Sequence, residues 1–199
     1  MTPWLPLALY ALFAYLLGAI PTGFWLVKAL TGEDIRTQGS GSTGTTNVRR
    51  AVGGKWALLV LAIDILKGFS PVWVARYWVF PEYFWAHVAF GLLAIIGHSF
   101  SIFIGGKGGK SAATCLGVII ALSPEVALAG AVVAYGVSKL TRMVSVGTLS
   151  AACAIPALLM LCHVPQAYVV YGFAASLYII FTHRENIARI LAGTENKLT

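Results

Sequence analysis

Residues 4–27 read WLPLALYALFAYLLGAIPTGFWLV, an apolar run from Trp4 to Val27 that holds no charged side chain and is interrupted at Pro21. About 20 apolar residues, rising 1.5 Å each in an α-helix, are enough to cross the hydrocarbon core of a membrane. The run therefore predicts a membrane-spanning helix at the start of the chain.

Six further apolar segments follow. They extend from about Trp56 to Val79, Tyr83 to Ile104, Ser111 to Leu122, Val126 to Val137, Val144 to Cys162 and Ala167 to Phe181. The fourth and fifth of the seven segments are short and lie on either side of Ser123-Pro124. They fit two short spans, one re-entrant hairpin or one interrupted span.

The placement of basic residues distinguishes these arrangements. Lysine or arginine follows the first, third, fifth and seventh segments, and the loops near Pro81, Pro124 and Val164 contain neither. Basic residues concentrate in cytoplasmic loops, and this alternation holds only if the fourth and fifth segments each cross. The sequence therefore predicts an all-α bundle of seven transmembrane helices, two of them short, in one domain over residues 1–199. The N-terminus is expected outside and the C-terminus in the cytoplasm.

The composition excludes several classes of protein. Of the 199 residues, 58% are hydrophobic and 11% are charged, whereas soluble domains carry about 25% charged residues. The net charge of +7 is distributed between apolar runs, which favours lipid headgroups or phosphorylated substrates over nucleic acid as partners. Because Cys115, Cys153 and Cys162 lie singly in apolar runs, neither a disulfide nor a zinc site is expected. No metal or cofactor is predicted, and the first run is too long for a cleavable signal peptide.

The first candidate site is a polar loop with nine consecutive small or polar residues from Gly39 to Asn47. Its glycines let successive N–H groups face an anion, and two following arginines can fork onto phosphate oxygens. The candidate phosphate-binding residues are Gly39, Ser40, Gly41, Ser42, Thr46, Asn47, Arg49 and Arg50. The alternative is a flexible loop whose arginines only anchor the topology.

A second glycine-rich loop runs from Gly97 to Ser111. It lacks the GxxxxGK[ST] pattern of ATPases, because Ile104 stands where the first glycine is required. Lysines and glycines at the electropositive start of a helix can still hold phosphate. The candidates here are Gly106, Lys107, Gly108, Lys110 and Ser111, with His98 in a supporting position or simply as a satisfied polar residue.

The tail and two intramembrane charges complete the candidates. His183 and Asn186 share one helical face that Arg189 continues, so they are candidates for a binding site. The alternative is a short amphipathic helix whose basic residues only contact lipid headgroups. A weaker group of Arg142, Ser145 and Thr148 enters the sixth segment. Asp64 and Lys67 are predicted to form a buried structural ion pair, with a transport role as the alternative. The HxxxxD and GxSxG patterns of other enzymes are absent.

These motifs together resemble the PlsY-type bacterial glycerol-3-phosphate acyltransferases, which use acyl-phosphate as the donor. The resemblance covers nearly the whole chain. It is carried by Gly18 to Gly23, Gly39 to Asn47, Asp64 to Gly68, His98 to Lys107, Asn186-Ile187 and Gly193 to Glu195. Ser42 and Thr45 replace the family's usual Asn and Ala in the first loop, and the second loop carries an additional or shifted basic residue. The resemblance does not say whether Lys107 or Lys110 is the essential lysine.

The resemblance implies acyl transfer to the 1-hydroxyl of glycerol 3-phosphate in the bacterial inner membrane, giving lysophosphatidic acid and phosphate. It implies that Ser40, Asn47 and Arg50 belong to the first phosphate-binding loop. Lys107, Lys110 and His98 would belong to the second. His183, Asn186 and Glu195 would complete the pocket. The implied partners are the two substrates, membrane lipids and, transiently, the soluble acyl-phosphate synthase.

An acyl-phosphate is already activated, so the enzyme's task is to position two anions and stabilise developing charge. The sequence shows no activated nucleophile, which predicts direct attack by the glycerol hydroxyl without an acyl-enzyme. The hydroxyl proton would pass to His183 or to the donor's own phosphate. The rival function is transport of phosphorylated metabolites or lysolipids, which favours midplane sites on repeated, broken helices. A non-catalytic binder of anionic lipids is a third alternative.

Overall fold

A computed structural model describes residues 4–197 of the chain, and these residues form helices without any β-strand. The α-helices are α1 (Trp4–Ala19), α2 (Thr22–Thr31), α3 (Thr45–Val52), α4 (Gly54–Val74), α5 (Phe84–Ser99), α6 (Ala112–Leu122), α7 (Pro124–Thr141), α8 (Val144–Leu161), α9 (Gln166–Thr182) and α10 (Arg184–Leu191). Short 3₁₀ turns cover Ile35–Thr37 and Ile102–Ile104, and a π-helical turn, Ala75–Val79, continues α4. The predicted all-α class is confirmed.

Within the described residues, four helical stretches are long and apolar enough to cross a membrane. They are Trp4–Thr31, Gly54–Val79, Phe84–Ile104 and Val144–Leu161, and α6 and α9 are shorter apolar helices. All seven predicted apolar segments are therefore helical, while the count of seven crossings and the orientation stay predictions. Helix α7 has 18 residues and is longer than predicted. It begins at Pro124, a residue that the first turn of a helix tolerates.

The first apolar run is broken at Ile20-Pro21. Helix α1 ends at Ala19 and α2 begins at Thr22. A proline inside a helix has no N–H to donate and its ring clashes with the preceding turn, which explains the break. At this break the Ile20 carbonyl accepts the Thr22 N–H at 3.0 Å and also the Lys67 Nζ at 2.9 Å.

The chain divides into two compact units, one ending at Ala121 and the other beginning at Leu122. In the first unit, glycines allow close helix packing. A methyl group built on Gly18 of α1 would lie 2.2 Å from the Ala94 carbonyl oxygen of α5. One built on Gly117 of α6 would lie 2.0 Å from the Ile65 carbonyl oxygen of α4. Small residues at such contacts bring helix backbones together, as they do in other membrane proteins.

The second unit packs α8 against α7 and α9. A methyl group on Gly147 of α8 would lie 2.2 Å from the Ala134 carbonyl oxygen of α7. The Ser176 hydroxyl of α9 donates to the carbonyl of Ala152 on α8. The small side chains at these contacts therefore let α8 approach both α7 and α9 closely. The prediction that both units form one domain stays a prediction.

Candidate active site

The first polar loop is organised around the buried side chain of Asn47. Its Oδ1 accepts a hydrogen bond from the Ser40 N–H at 3.1 Å. Its Nδ2 lies 3.3 Å, 3.0 Å and 2.9 Å from the carbonyl oxygens of Ile35, Gln38 and Ser42. One amide thus holds both sides of the loop, and its hydrogen-bonding groups face the loop's own backbone.

Two glycines make this curl possible. Gly39 and Gly41 have φ of 56° and 66°, in the left-handed region that glycine adopts at least cost. A methyl group on Gly39 would also lie 2.3 Å from the Asn47 Oδ1. Ser40, Ser42 and Thr46 are half-buried at the rim of the loop, and Arg49 and Arg50 are exposed on α3.

The second loop folds back against the C-terminal end of α5. The N–H groups of Gly108 and Gly109 donate to the carbonyls of Ser99 and His98, at 2.9 Å and 3.1 Å. The Ser99 hydroxyl donates to the Gly109 carbonyl at 2.8 Å, and the Ser99 and Ser111 hydroxyl oxygens lie 2.7 Å apart. The loop is therefore held along α5 before α6 begins.

Ser111 occupies an unusual position at the end of this loop. Its φ of 63° is costly for a residue with a side chain. Its hydroxyl donates to the Ile95 carbonyl at 2.9 Å, and its own carbonyl accepts the N–H of Cys115 at 2.8 Å. The side chain thus turns toward α5 while the backbone starts α6.

His98 lies beneath the second loop. Its Nδ1 is 3.8 Å from the Asp64 Oδ1, and a methyl group built on Gly109 would lie 2.1 Å from its Nε2. Asp64 in turn pairs with Lys67 at 2.8 Å, so the predicted buried ion pair is confirmed. The His98 ring therefore lies against the loop backbone at Gly109, and its supporting role in phosphate binding stays a prediction.

The two lysines of this loop differ in their surroundings. Lys107 is exposed and follows Gly105 and Gly106, which have φ of 67° and 76°. Lys110 is partly buried and lies next to Ser111 at the start of α6. Both ammonium groups remain candidates for phosphate, one from the tip of the loop and one from its base.

In the second unit, Glu195 brings several predicted residues together. Its Oε1 accepts hydrogen bonds from the Ser145 Oγ at 2.8 Å and the Asn186 Nδ2 at 2.7 Å. Its Oε2 accepts from the Arg189 Nε at 2.8 Å. Burial raises the pKa of Glu195, but these three donors outweigh it and leave the pKa below its ordinary value. Glu195 therefore joins α8, α10 and the tail as a carboxylate.

His183 lies between the end of α9 and the start of α10. Its Nδ1 lies 2.8 Å from the Ile179 carbonyl oxygen. A carbonyl can only accept, so Nδ1 carries the proton. In the neutral imidazole, Nε2 is then the nitrogen with acceptor character. Arg142, at the C-terminal end of α7, is exposed and has φ of 60°.

Comparisons with known proteins agree with these features. A family model described as glycerol-3-phosphate acyltransferase matches residues 8–193. The chain is 46% identical over 202 residues to the glycerol-3-phosphate acyltransferase of Synechococcus sp. (strain JA-3-3Ab), covering 100% of this chain and 96% of the relative. It is 43% identical to that of Rippkaea orientalis (strain PCC 8801 / RF-1), covering 98% and 94%. The chain belongs to the glycerol-3-phosphate acyltransferase family.

Two crystal structures of PlsY (YgiH), an integral membrane glycerol 3-phosphate acyltransferase, are similar to this family member. The glycerol 3-phosphate form matches with a TM-score of 0.92 and 38% identity, covering 98% of this chain and 96% of that chain. The lysophosphatidic acid form matches with a TM-score of 0.89 and 37% identity over the same shares. The predicted PlsY-type resemblance is therefore confirmed, and the chain is a multi-pass membrane protein.

Some residues that shape the loops of this acyltransferase family member were missed in the sequence. Arg36 donates to the Ile104 carbonyl and pairs with Asp34. Ser99 joins α5 to the second loop. Asp34 and Arg36 are two residues apart, a spacing that predicts no particular pairing. Ser99 carries no signal of its own in the sequence, and the spacing of twelve residues to Ser111 does not predict that the two hydroxyl groups meet.

Proposed function

We propose that this protein transfers a fatty acyl group from acyl-phosphate to the 1-hydroxyl of sn-glycerol 3-phosphate. The products are lysophosphatidic acid and inorganic phosphate, in the first step of phospholipid synthesis at the bacterial inner membrane. The observation that carries this proposal is the similarity, over 98% of the chain, to PlsY in forms with glycerol 3-phosphate and with lysophosphatidic acid. These two molecules differ by one acyl group, so they are the acceptor and the product of a single acylation.

The choice of acyl-phosphate as donor rests on the pattern of charge. A pair of basic residues accompanies each glycine-rich loop: Arg49 and Arg50 follow the first on α3, and Lys107 and Lys110 lie in the second. Two phosphate groups, one on each substrate, repel each other and need separate cationic sites. An acyl-phosphate also carries its own good leaving group, so positioning and charge stabilisation suffice.

The proposed chemistry is a direct displacement. The 1-hydroxyl oxygen of glycerol 3-phosphate bonds to the acyl carbon, the bond from that carbon to the phosphate oxygen breaks, and inorganic phosphate leaves. The hydroxyl proton passes to the Nε2 of His183 or to an oxygen of the departing phosphate. The Nδ1–H bond from His183 to the Ile179 carbonyl supports the first route, because it leaves Nε2 as the basic nitrogen.

The remaining predicted residues keep their roles in this proposal. Ser40, Arg50, Lys107, Lys110 and Asn186 act with His183 on the reacting groups. The phosphates are bound by Gly39, Gly41, Ser42, Thr46, Asn47, Arg49, Gly106, Gly108, Ser111, Arg142, Ser145 and Glu195, with His98 in support. Because the Asn47 amide already bonds to the loop backbone, its contribution is to shape the anion site.

The proposed topology has seven crossings, with the N-terminus outside and the C-terminus in the cytoplasm. Its support is the alternation of basic residues together with a helix at each of the seven apolar segments. The exposed arginines Arg49 and Arg50 would then face the cytoplasm, where the soluble acyl-phosphate synthase can make transient contact. Labelling of single cysteines introduced at Glu82 and Lys139 tests this: only the first should react from outside.

The deciding experiment is acyl transfer by the purified protein. Labelled glycerol 3-phosphate is offered with palmitoyl-phosphate and, separately, with palmitoyl-CoA. We expect lysophosphatidic acid and one equivalent of inorganic phosphate with the acyl-phosphate only. Product with palmitoyl-CoA alone would overturn the choice of donor. Folded protein that gives no product with either donor would overturn the function, and uptake of glycerol 3-phosphate into proteoliposomes would then test transport.

A further inference from the structure

The guanidinium of Arg36 connects the two glycine-rich loops of the first unit. Arg36 lies in the 3₁₀ turn Ile35–Thr37, at the entrance to the first loop. Its Nη1 donates to the carbonyl of Ile104 at 2.8 Å, 68 residues further along the chain. Ile104 ends the short helix that leads into Gly105, Gly106 and Lys107. One side chain therefore connects the start of the first loop with the residue that precedes Gly105 and Gly106 in the second.

The guanidinium is fixed from two further directions. Asp34 accepts from its Nε at 2.9 Å and from its Nη2 at 2.7 Å, in the forked geometry that suits arginine and carboxylate. The same carboxylate accepts the Arg36 N–H at 2.9 Å and so closes the turn. The guanidinium also lies over the ring of Phe24 on α2, with 4.8 Å from its carbon to the ring centroid. This side chain therefore has a defined direction although it is not deeply buried.

Each end of the connection reaches a residue that shapes a loop. At the Arg36 end, the neighbouring Ile35 carbonyl lies 3.3 Å from the Asn47 Nδ2, which organises the first loop. At the other end, Ile104 is followed by two glycines in left-handed conformations. The position of Ile104 therefore determines where the backbone that leads through these glycines to Lys107 begins. A shift of the Arg36 guanidinium would therefore move the two loops relative to each other.

We propose that Arg36 is a positioning residue that sets the separation of the two glycine-rich loops. This inference rests on the proposed function in one respect, because it takes each loop to hold one phosphate group. Transfer between two bound anions depends on their distance, and a misplacement of about 1 Å can cost on the order of 100-fold in rate. A lysine cannot replace the arginine here, because one ammonium group cannot fork onto Asp34 and also reach Ile104.

The test compares Arg36→Lys with Arg184→Lys as a matched control. Arg184 also donates to a carbonyl, that of Phe181 at 3.2 Å, and its guanidinium carbon also lies 4.8 Å from a ring centroid. Its acceptor lies only three residues earlier in the chain, at the end of α9, so this bond joins no loops. Both variants keep the charge. Steady-state acyl transfer is measured over a range of each substrate, together with the thermal unfolding midpoint in detergent.

We expect Arg36→Lys to lower kcat/KM on the order of 10- to 100-fold, with higher KM for both substrates and a midpoint close to that of the wild type. Asp34→Asn should act in the same direction but less strongly. The double variant should be no worse than Arg36→Lys alone, since both changes break one connection. Arg184→Lys should behave as the wild type.

Equal kinetics for Arg36→Lys and Arg184→Lys would overturn the inference. The inference would also be overturned if kcat/KM of the double variant fell by the product of the two single-variant factors. If Arg36→Lys does not fold, Asp34→Asn decides alone, because it keeps the arginine but removes the carboxylate that directs its guanidinium toward Ile104. An inactive wild-type protein would instead overturn the proposed function, so the two failures are distinguishable.

Discussion

Lys67 Nζ lies 2.8 Å from the Asp64 Oδ1 one turn earlier on α4, and both side chains are almost completely buried. The same ammonium donates at 2.9 Å to the Ile20 carbonyl, beside the break at Pro21. The ion pair therefore neutralises two buried charges, and its lysine also ties α4 to the junction between α1 and α2. This geometry favours the structural role over the transport role that the sequence left open.

Removing one partner of this ion pair should be strongly destabilising. We expect Asp64→Asn or Lys67→Met alone to cost about 3–5 kcal/mol, because each leaves a buried group uncompensated. The double change Asp64→Leu with Lys67→Met should recover part of that loss, since apolar pairs often replace buried ion pairs at little cost. Unfolding midpoints in detergent measure this, and single variants as stable as the wild type would contradict it.

The packing of α4 on α6 should tolerate no methyl group at its glycines. A Cβ on Gly68 would lie 2.1 Å from the Thr114 carbonyl oxygen, and one on Gly117 would lie 2.0 Å from that of Ile65. We expect Gly68→Ala and Gly117→Ala to lower the unfolding midpoint and to lose activity as α6 and the loop before it move. Overpacking of this kind typically costs about 1–3 kcal/mol or more.

The matched control for these variants is Gly136→Ala on α7. Nothing lies within 4 Å of a Cβ at that position, so alanine meets no neighbour there. Alanine is favoured over glycine in a helix interior by about 0.5–1 kcal/mol. Gly136→Ala should therefore hold or raise the midpoint. A midpoint lowered equally in all three variants would show that the close contacts are not the cause.

Asn47 offers a prediction that separates its two roles. Asn47→Asp keeps an oxygen to accept the Ser40 N–H but loses the Nδ2 donor that faces the carbonyls of Gln38 and Ser42. If the donor shapes the loop, Asn47→Asp and Asn47→Ala should both lower kcat/KM on the order of 100-fold. Thr45→Ala, at a half-buried position two residues earlier, serves as the control. An Asn47→Asp protein with normal kinetics would contradict the role of the donor.

The sequence predicted those parts of the fold that depend on local properties. Every apolar segment is a helix, because hydropathy and length suffice to specify one in a membrane. The pairing of Asp64 with Lys67 was also predictable, since residues three apart on a helix face each other. The extent of α7 was not predicted, because Glu125 and Lys139 at its ends look like loop residues when only hydropathy is read.

The arrangement of the loops depends on contacts that no spacing rule describes. Asn47 was predicted as a ligand because an amide is a good donor to an anion. Its donors in fact face carbonyls whose positions are set by the left-handed Gly39 and Gly41. In the sequence, Arg36 is one of several basic residues between the first two apolar segments, and nothing there marks a structural role for it. Its acceptor at Ile104 lies in another apolar segment, and tertiary folding alone brings the two together.

The Glu195 carboxylate should make the stability of the second unit depend on pH in a defined direction. Its hydrogen bonds from Asn186, Ser145 and Arg189 hold its pKa below the ordinary value against the opposing effect of burial. A carboxyl with a lowered folded-state pKa stabilises the fold above its unfolded pKa of about 4.3. That stabilisation is lost as the pH falls through the lower, folded-state value. The contribution of Glu195 to the stability of the second unit should therefore be the same in neutral and in mildly acidic buffers.

Glu195→Gln tests this, because glutamine can still accept from Asn186 and Ser145 but cannot pair with the charge of Arg189. We expect the variant to unfold at a lower temperature than the wild type at pH values above about 4.3. The difference should shrink as the pH is lowered further, because the wild-type carboxyl then becomes neutral as well. Glu185→Gln, an exposed acid on the same helix α10, is the control and should change the midpoint little at any pH. A difference between Glu195→Gln and the wild type that is constant down to the lowest pH would show that the charge of Glu195 does not hold the tail to α8 and α10.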